Sequence, residues 1–253
     1  MSVASSKIGR FALASGPIVA LLAAWHMASV GGAVSSALLP APATVLSAVI
    51  SSLADPAFLA ELAITLSRLL AGFAIAVVVG IGLSLIGASN KYAGLMLQAT
   101  VQLLAPIPKI ALYPAIVLVF GYESTPKILL VAVDAVFPII LATYQGIARV
   151  ERKLIWSARA MGQSQFSCLL TIALPSALPS ILTGCRVALI VSCIVVFLAE
   201  MISSSDGLGR LLIAAARNFD TVNMFVPLIL ISVIGLVLNL TLNALRKRLL
   251  VGY

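Results

Sequence analysis

The chain has 253 residues, 62% of them hydrophobic and only 9% charged, with a net charge of +8. Soluble domains carry about 25% charged residues, so a water-soluble fold is excluded and an integral membrane protein is implied. The basic balance does not point to nucleic acid, because the Lys and Arg residues fall at the ends of apolar runs, where spans meet the cytoplasm.

Lys7 and Arg10 precede an apolar run over residues 11–30. About 20 such residues cross a bilayer, whereas a signal peptide has an apolar region of about 7–15. The run therefore reads as a retained first span with the N-terminus inside. His26, the one histidine, lies on it beside Trp25 and reads as a packed or interfacial side chain. A Gly- and Pro-punctuated outside segment follows, with a short helix expected over 44–53, lying on the membrane.

The core spans occupy about 62–245. In the second span, 62–88, Gly72, Ala76, Gly80, Ser84 and Ala88 recur every fourth residue. Such a small-residue stripe lets another helix approach closely. Arg68, near the outer end, is expected to snorkel to the interface. The third span, 93–121, holds Pro106, Pro108 and Pro114. Proline removes a backbone donor, so a broken helix is expected near mid-bilayer, where it must be buried in protein or line a cavity. Thr125 and Pro126 open the fourth span, which runs to about Gly146 and contains Asp134 and Pro138. The fifth runs from Ser180 to Glu200, with Arg186 near its inner end. A short helix over 211–217 and a last span over 226–245 follow, ending in Arg246, Lys247 and Arg248. Six spans in one domain result, all α-helical.

Lys91, Arg149, Arg152, Lys153, Arg159 and Arg246–Arg248 then share one side with Lys7 and Arg10. The opposite side holds Lys127, Arg210 and Arg217 among five acidic residues, Asp55, Glu61, Glu123, Asp206 and Asp220. This bias puts both termini in the cytoplasm.

The longest polar interruption of the second half covers 149–175. Leu154, Ala158 and Met161 recur there at helical spacing, and Gly162 supplies a stop. Trp156, Ser157 and Ala158 are followed after three residues by Gly162, then by Ile172, Leu174 and Pro175. This pattern resembles the cytoplasmic signature of ATP-binding cassette (ABC) permeases: EAA, three residues, G, nine residues, I-x-L-P. Trp156 stands where the family has Glu, and Ser157 where it has Ala. APIPKIALYPAIVLVFG (105–121) also looks like the matching segment of the branch importing nitrate, sulfonates, taurine or bicarbonate, and LPSALPSILTGCRVAL (174–189) and Ala199–Met201 with Gly207–Gly209 extend the likeness to ABC importer permeases.

The resemblance implies a type I ABC importer permease (MetI-like) fold in a bacterial inner membrane. It implies a second permease copy, an ATPase homodimer and an extracytoplasmic substrate-binding protein as partners. It makes Leu154, Trp156, Ser157, Ala158, Arg159, Met161 and Gly162 the element that docks the ATPase. A small organic or inorganic anion of the sulfonate, taurine or nitrate kind, or a related nutrient, is the implied cargo.

No G-x-x-x-x-G-K-[ST] phosphate loop occurs, so the chain lacks the usual cradle for ATP phosphates, and the resemblance implies that ATP hydrolysis belongs to a separate subunit. No hydrolase or metalloprotease motif is present, Cys168, Cys185 and Cys193 lack metal-like spacing, and no cofactor is expected. Lys109, Asp134, Arg186 and Glu200 fall within or at the edge of spans, where ionisable groups face a protein interior or a water-filled path. Lys109, Asp134 and Glu200 are candidate pathway residues. The competing reading pairs them as fixed salt bridges, Lys109 with Asp134 in particular, and Arg186 is assigned such a fixed role. An ion-gradient transporter using Asp134 and Glu200 is the rival function, and a non-transporting scaffold the second. The spacing of the 149–175 pattern speaks against both.

Single-cysteine labelling at Ser164 in intact and permeabilised cells tests the orientation. An impermeant reagent should modify it only after permeabilisation; labelling from outside would overturn the topology.

Overall fold

The computed structural model describes residues 7–31, 34–35, 37–202 and 205–250, with side chains from residue 16 onward. Every regular element among them is helical: α1 (Lys7–Val30), α2 (Pro42–Leu53), α3 (Pro56–Ser89), α4 (Lys91–Leu104), a 3₁₀ turn (Lys109–Leu112), α5 (Tyr113–Phe120) and α6 (Ser124–Ala148). The second half holds α7 (Arg152–Ala160), α8 (Gln165–Cys168), a π-helical turn (Leu169–Ala173), α9 (Leu174–Ser176), α10 (Leu178–Ile202), α11 (Leu208–Arg217) and α12 (Thr221–Leu249).

Four of these helices, α3, α6, α10 and α12, are long and apolar enough to cross a membrane. A fifth crossing results if α4 and the Lys109–Phe120 helices, bent by 77°, form one broken span. The expected first span falls in α1, where the side chains of residues 7–15, Lys7 and Arg10 included, lie outside the described ones. The expected count of six is thus met only by adding α1 to these five.

The chain divides into two compact units. The first holds residues 1–60 and 211–230. Within it Trp25 stacks on Phe225 at 5.4 Å between ring centres, and its indole N–H donates to the Pro40 carbonyl at 3.0 Å. His26 beside it is exposed. Pro42 at the first turn of α2 supplies a preset φ where a backbone donor is dispensable.

The second unit holds residues 61–210 and 231–253. Its most extensive helix pair is α6 with α10. Leu69, Tyr113, Leu130, Val131 and Val196 build one apolar cluster; Ala76, Ala135, Ile139, Ala173 and Ala188 build another. The small-residue stripe of α3 lies against α6, as its spacing predicts. A Cβ built on Gly72 would stand 2.6 Å from the Val131 side chain, and one on Gly80 2.8 Å from Ile139. Ser84 adds a hydrogen bond from its hydroxyl to the Ile140 carbonyl at 3.2 Å. At the end of the stripe Gly87, rather than Ala88, is the buried residue.

Pro106 and Pro108 break the third span where expected. The residues before them, Ala105 and Ile107, are biased away from helix, and α4 ends at Leu104. Pro114 falls in the first turn of α5, where it fits. Gly72→Leu should therefore splay α3 from α6 and cost about 1–3 kcal/mol by overpacking. Thermal unfolding of the purified protein checks this; an unchanged midpoint would mean that α3 and α6 are not in contact.

Candidate functional site

Lys109 closes the break it follows. Its Nζ donates to the carbonyls of Ala105 and Ile107, each at 3.2 Å. These are acceptors next to the break, and unpaired carbonyls inside a membrane are costly. The same Nζ lies 3.0 Å from Asp134 Oδ1 on α6 and 4.5 Å from the centre of the Phe137 ring. All three ammonium hydrogens thus have acceptors. Lys109 and Asp134, paired on the sequence as opposite charges on successive spans, meet in the structure.

Glu200 belongs to a second cluster. Its carboxylate accepts from Arg68 Nη1 at 2.8 Å, from the Thr65 hydroxyl at 2.9 Å and from the Gly209 backbone N–H at 3.1 Å. Arg68 also pairs with Asp206 and donates from Nε to Ser124 at 2.9 Å. The Arg68 and Glu200 side chains are 1% and 0% exposed. Beside them Arg210 pairs with Glu61 at 2.5 Å, and Glu61 accepts from the Gly207 N–H. Leu208 N donates to Thr65 Oγ1 at 2.9 Å. Gly207, at φ +95°, and Gly209 have no side chain to hold the backbone away from Glu200.

This corrects the expectation for Arg68. It does not snorkel, because two carboxylates and a hydroxyl are presented to it inside the protein, and a satisfied buried guanidinium needs no route to water. The apolar run around it carried the signal: an ionisable residue within a span faces a protein interior. Lys127, assigned to an outside loop, is buried in the first turn of α6 and donates to the carbonyls of Tyr122 and Glu123 at 2.8 and 2.9 Å. Arg186 is exposed on α10 and makes no ion pair among the described residues, so the fixed bridge expected of it is absent there. Cys168, Cys185 and Cys193 are buried and free.

The 149–175 segment forms α7, α8, the π turn and α9. Glycine ends α7 as the sequence requires. Gly162 N donates to the Arg159 carbonyl and Gln163 N to that of Ala158; with Gly162 at φ +87°, this is a Schellman cap. Ser164 then caps α8 by accepting from Ser167 N at 3.2 Å. Ala158 is buried within the chain, whereas Leu154, Trp156 and Met161 are 49%, 64% and 77% exposed. Leu154 and Met161 are therefore exposed on one side of α7 and Trp156, two residues from Leu154, on another, with Ser157 and Arg159 also exposed. Gln165 ties this segment to the end of α3 through the Ser89 carbonyl at 2.5 Å.

A double-mutant cycle tests the Lys109–Asp134 pair. Removing one partner of a buried pair costs about 3–5 kcal/mol. Asp134→Asn should lower the unfolding midpoint, and Lys109→Met should lower it more, since it also frees two carbonyls. The double variant should lose less than the sum of the two; strict additivity would show that the pair contributes nothing.

Comparison with known proteins gives this arrangement its context. Residues 80–250 match the family described as binding-protein-dependent transport system inner membrane component. The putative aliphatic sulfonates transport permease of Escherichia coli (strain K12) is 34% identical over 229 residues, 90% of this chain and 87% of the relative. The taurine transport system permease of the same organism is 30% identical over 243 residues, 94% and 88% of the two chains. Among solved structures, an inward facing MetNI methionine ABC transporter matches with a TM-score of 0.62 at 20% identity, over 75% of this chain and 92% of that one. That likeness shows a shared fold. With helices that can cross a bilayer and a family match over residues 80–250, the chain belongs to the binding-protein-dependent inner membrane components, the permeases of ABC transport systems.

Proposed function

We propose that the chain is the membrane-spanning subunit of an ATP-driven importer, and that its cargo is a small organic sulfonate or a related nutrient anion. Two copies, acting as single-domain subunits, enclose one route. An ATPase homodimer binds on the cytoplasmic side, where the basic ends and both termini lie, and an extracytoplasmic binding protein delivers the substrate. The names of the sulfonate and taurine permeases support the cargo class.

The observation that carries this reading is the form of α7. A short helix in a basic loop leaves Leu154, Trp156 and Met161 exposed while its own chain buries Ala158. Leu154 and Met161, seven positions apart on one side, are apolar anchors that suit a groove on a partner, and Trp156 on another side is available as a further anchor. Movement of a docked α7 would reach α3 through Gln165 and the Ser89 carbonyl. Lys109 and Asp134 hold the broken span that borders the route, and Glu200 holds the α10–α11 corner, so these three residues fix its wall. An ion-gradient mechanism is disfavoured because the Glu200 carboxylate is already taken up by Arg68, Thr65 and Gly209.

The test is uptake of taurine and ethanesulfonate by vesicles holding this chain with its ATPase and binding protein. ATP-dependent accumulation is expected; uptake that survives loss of the ATPase and collapses with the ion gradient would overturn the proposal. Trp156→Ala should weaken co-purification of the ATPase by about 2 kcal/mol, the scale of a buried aromatic anchor, with insertion unchanged. Gly162→Leu should uncouple more severely, because its φ of +87° disfavours any side chain.

A further inference from the structure

The ends of α6, α10 and α12 enclose a cavity of about 310 Å³ that the transport reading does not use. Arg149 and Arg246 line it together with Gln145, Ser180 and Thr183, and no acidic residue does. α6 and α10 form its floor where they cross: a Cβ on Gly146 would stand 2.7 Å from that of Ser180. Neither guanidinium has an ion-pair or hydrogen-bond partner among the described residues, in contrast to those of Arg68 and Arg210. The Thr183 hydroxyl donates to the Pro179 carbonyl at 2.9 Å, which leaves the two guanidiniums, the Gln145 amide and the Ser180 hydroxyl as free donors. Two permanent positive charges and two neutral donors line one cavity with no acidic residue among its lining to neutralise them. The chemistry they fit is an oxyanion with several acceptor oxygens, a phosphate above all.

Depth decides the source. Arg246 stands in the last turn of α12 and Arg149 at the C-terminal cap of α6, while Ser180 is in the first turn of α10. All three helices are long enough to cross the membrane, so the cavity lies at the level where a span gives way to the head groups. Basic pockets between spans at that level take the head groups of anionic lipids. We propose that this cavity is a binding site for the phosphate of an anionic phospholipid. Arg149 is also the first residue of the 149–175 segment, so an occupied site would anchor the membrane end of the element proposed to meet the ATPase. The lipid site itself does not depend on that proposal.

The test uses the full chain with its partner subunits, purified and exchanged into nanodiscs of phosphatidylcholine with or without phosphatidylglycerol. Retained phosphatidylglycerol is counted by native mass spectrometry after release. Arg149→Gln and Arg246→Gln should each reduce retention about fivefold, the size expected of one cation near the surface, and the double variant more. Arg248→Gln, at the same helix end but outside the cavity, should leave retention unchanged. If a double arginine variant fails to fold, Ser180→Ala, which keeps both charges, should still lower retention. Equal retention of the two lipids, or equal loss with Arg248→Gln, would overturn the site. Inorganic phosphate that displaces the lipid at matched concentration would overturn the lipid as its source.

Discussion

The Arg68–Glu200 pair removes two opposite charges from water inside a helix bundle, at a desolvation cost of several kcal/mol per ion. That cost is tolerable only if every remaining donor and acceptor is satisfied. The chain meets the condition with Thr65 and Gly209 on the carboxylate and with Asp206 and Ser124 on the guanidinium. Four segments are thereby drawn to one point: α3, the start of α6, the end of α10 and the turn into α11. Gly207 and Gly209 belong to the same constraint, since the backbone must come against the carboxylate to donate to it. Loss of either charge would leave the other buried without a partner, so the corner is held as a unit.

Lys109 solves a different problem by the same rule. Two prolines break the third span and interrupt its ladder of backbone hydrogen bonds. The lysine that follows reaches back to the Ala105 and Ile107 carbonyls beside the break and across to Asp134. The break is therefore a built feature with its own internal solvation, and its charge is neutralised on the spot. In both clusters charged residues within spans serve the architecture, each charge met by partners inside the protein.

The basic segment shows the opposite economy. Around α7 the charges remain in water, and large apolar side chains are left exposed with them. A Schellman cap at Gly162 and a serine cap at Ser164 fix where this helix ends and the next begins. Strict termination with large apolar side chains left uncovered is what the proposed docking to an ATPase would use.

The sequence by itself determined the membrane class, because a 62% hydrophobic chain has no soluble solution. It also determined the helical spans to within a few residues, the proline break and the α3 stripe, because each follows from local periodicity or from backbone chemistry at single residues. The Lys109–Asp134 pairing was legible too, since successive spans commonly pack side by side. The partners of Arg68 were not: Glu200 and Asp206 lie more than 130 positions away, and no local pattern encodes which distant carboxylate meets an arginine. The exposure pattern of α7 also stayed hidden, because helical spacing groups Leu154, Ala158 and Met161 together and only tertiary packing puts Ala158 inside. The two unpaired arginines of the α6–α10–α12 cavity read on the sequence as ordinary basic ends. Only the tertiary structure brings 149 and 246 to one cavity, because helix ends far apart in the chain meet there through the packing of their spans.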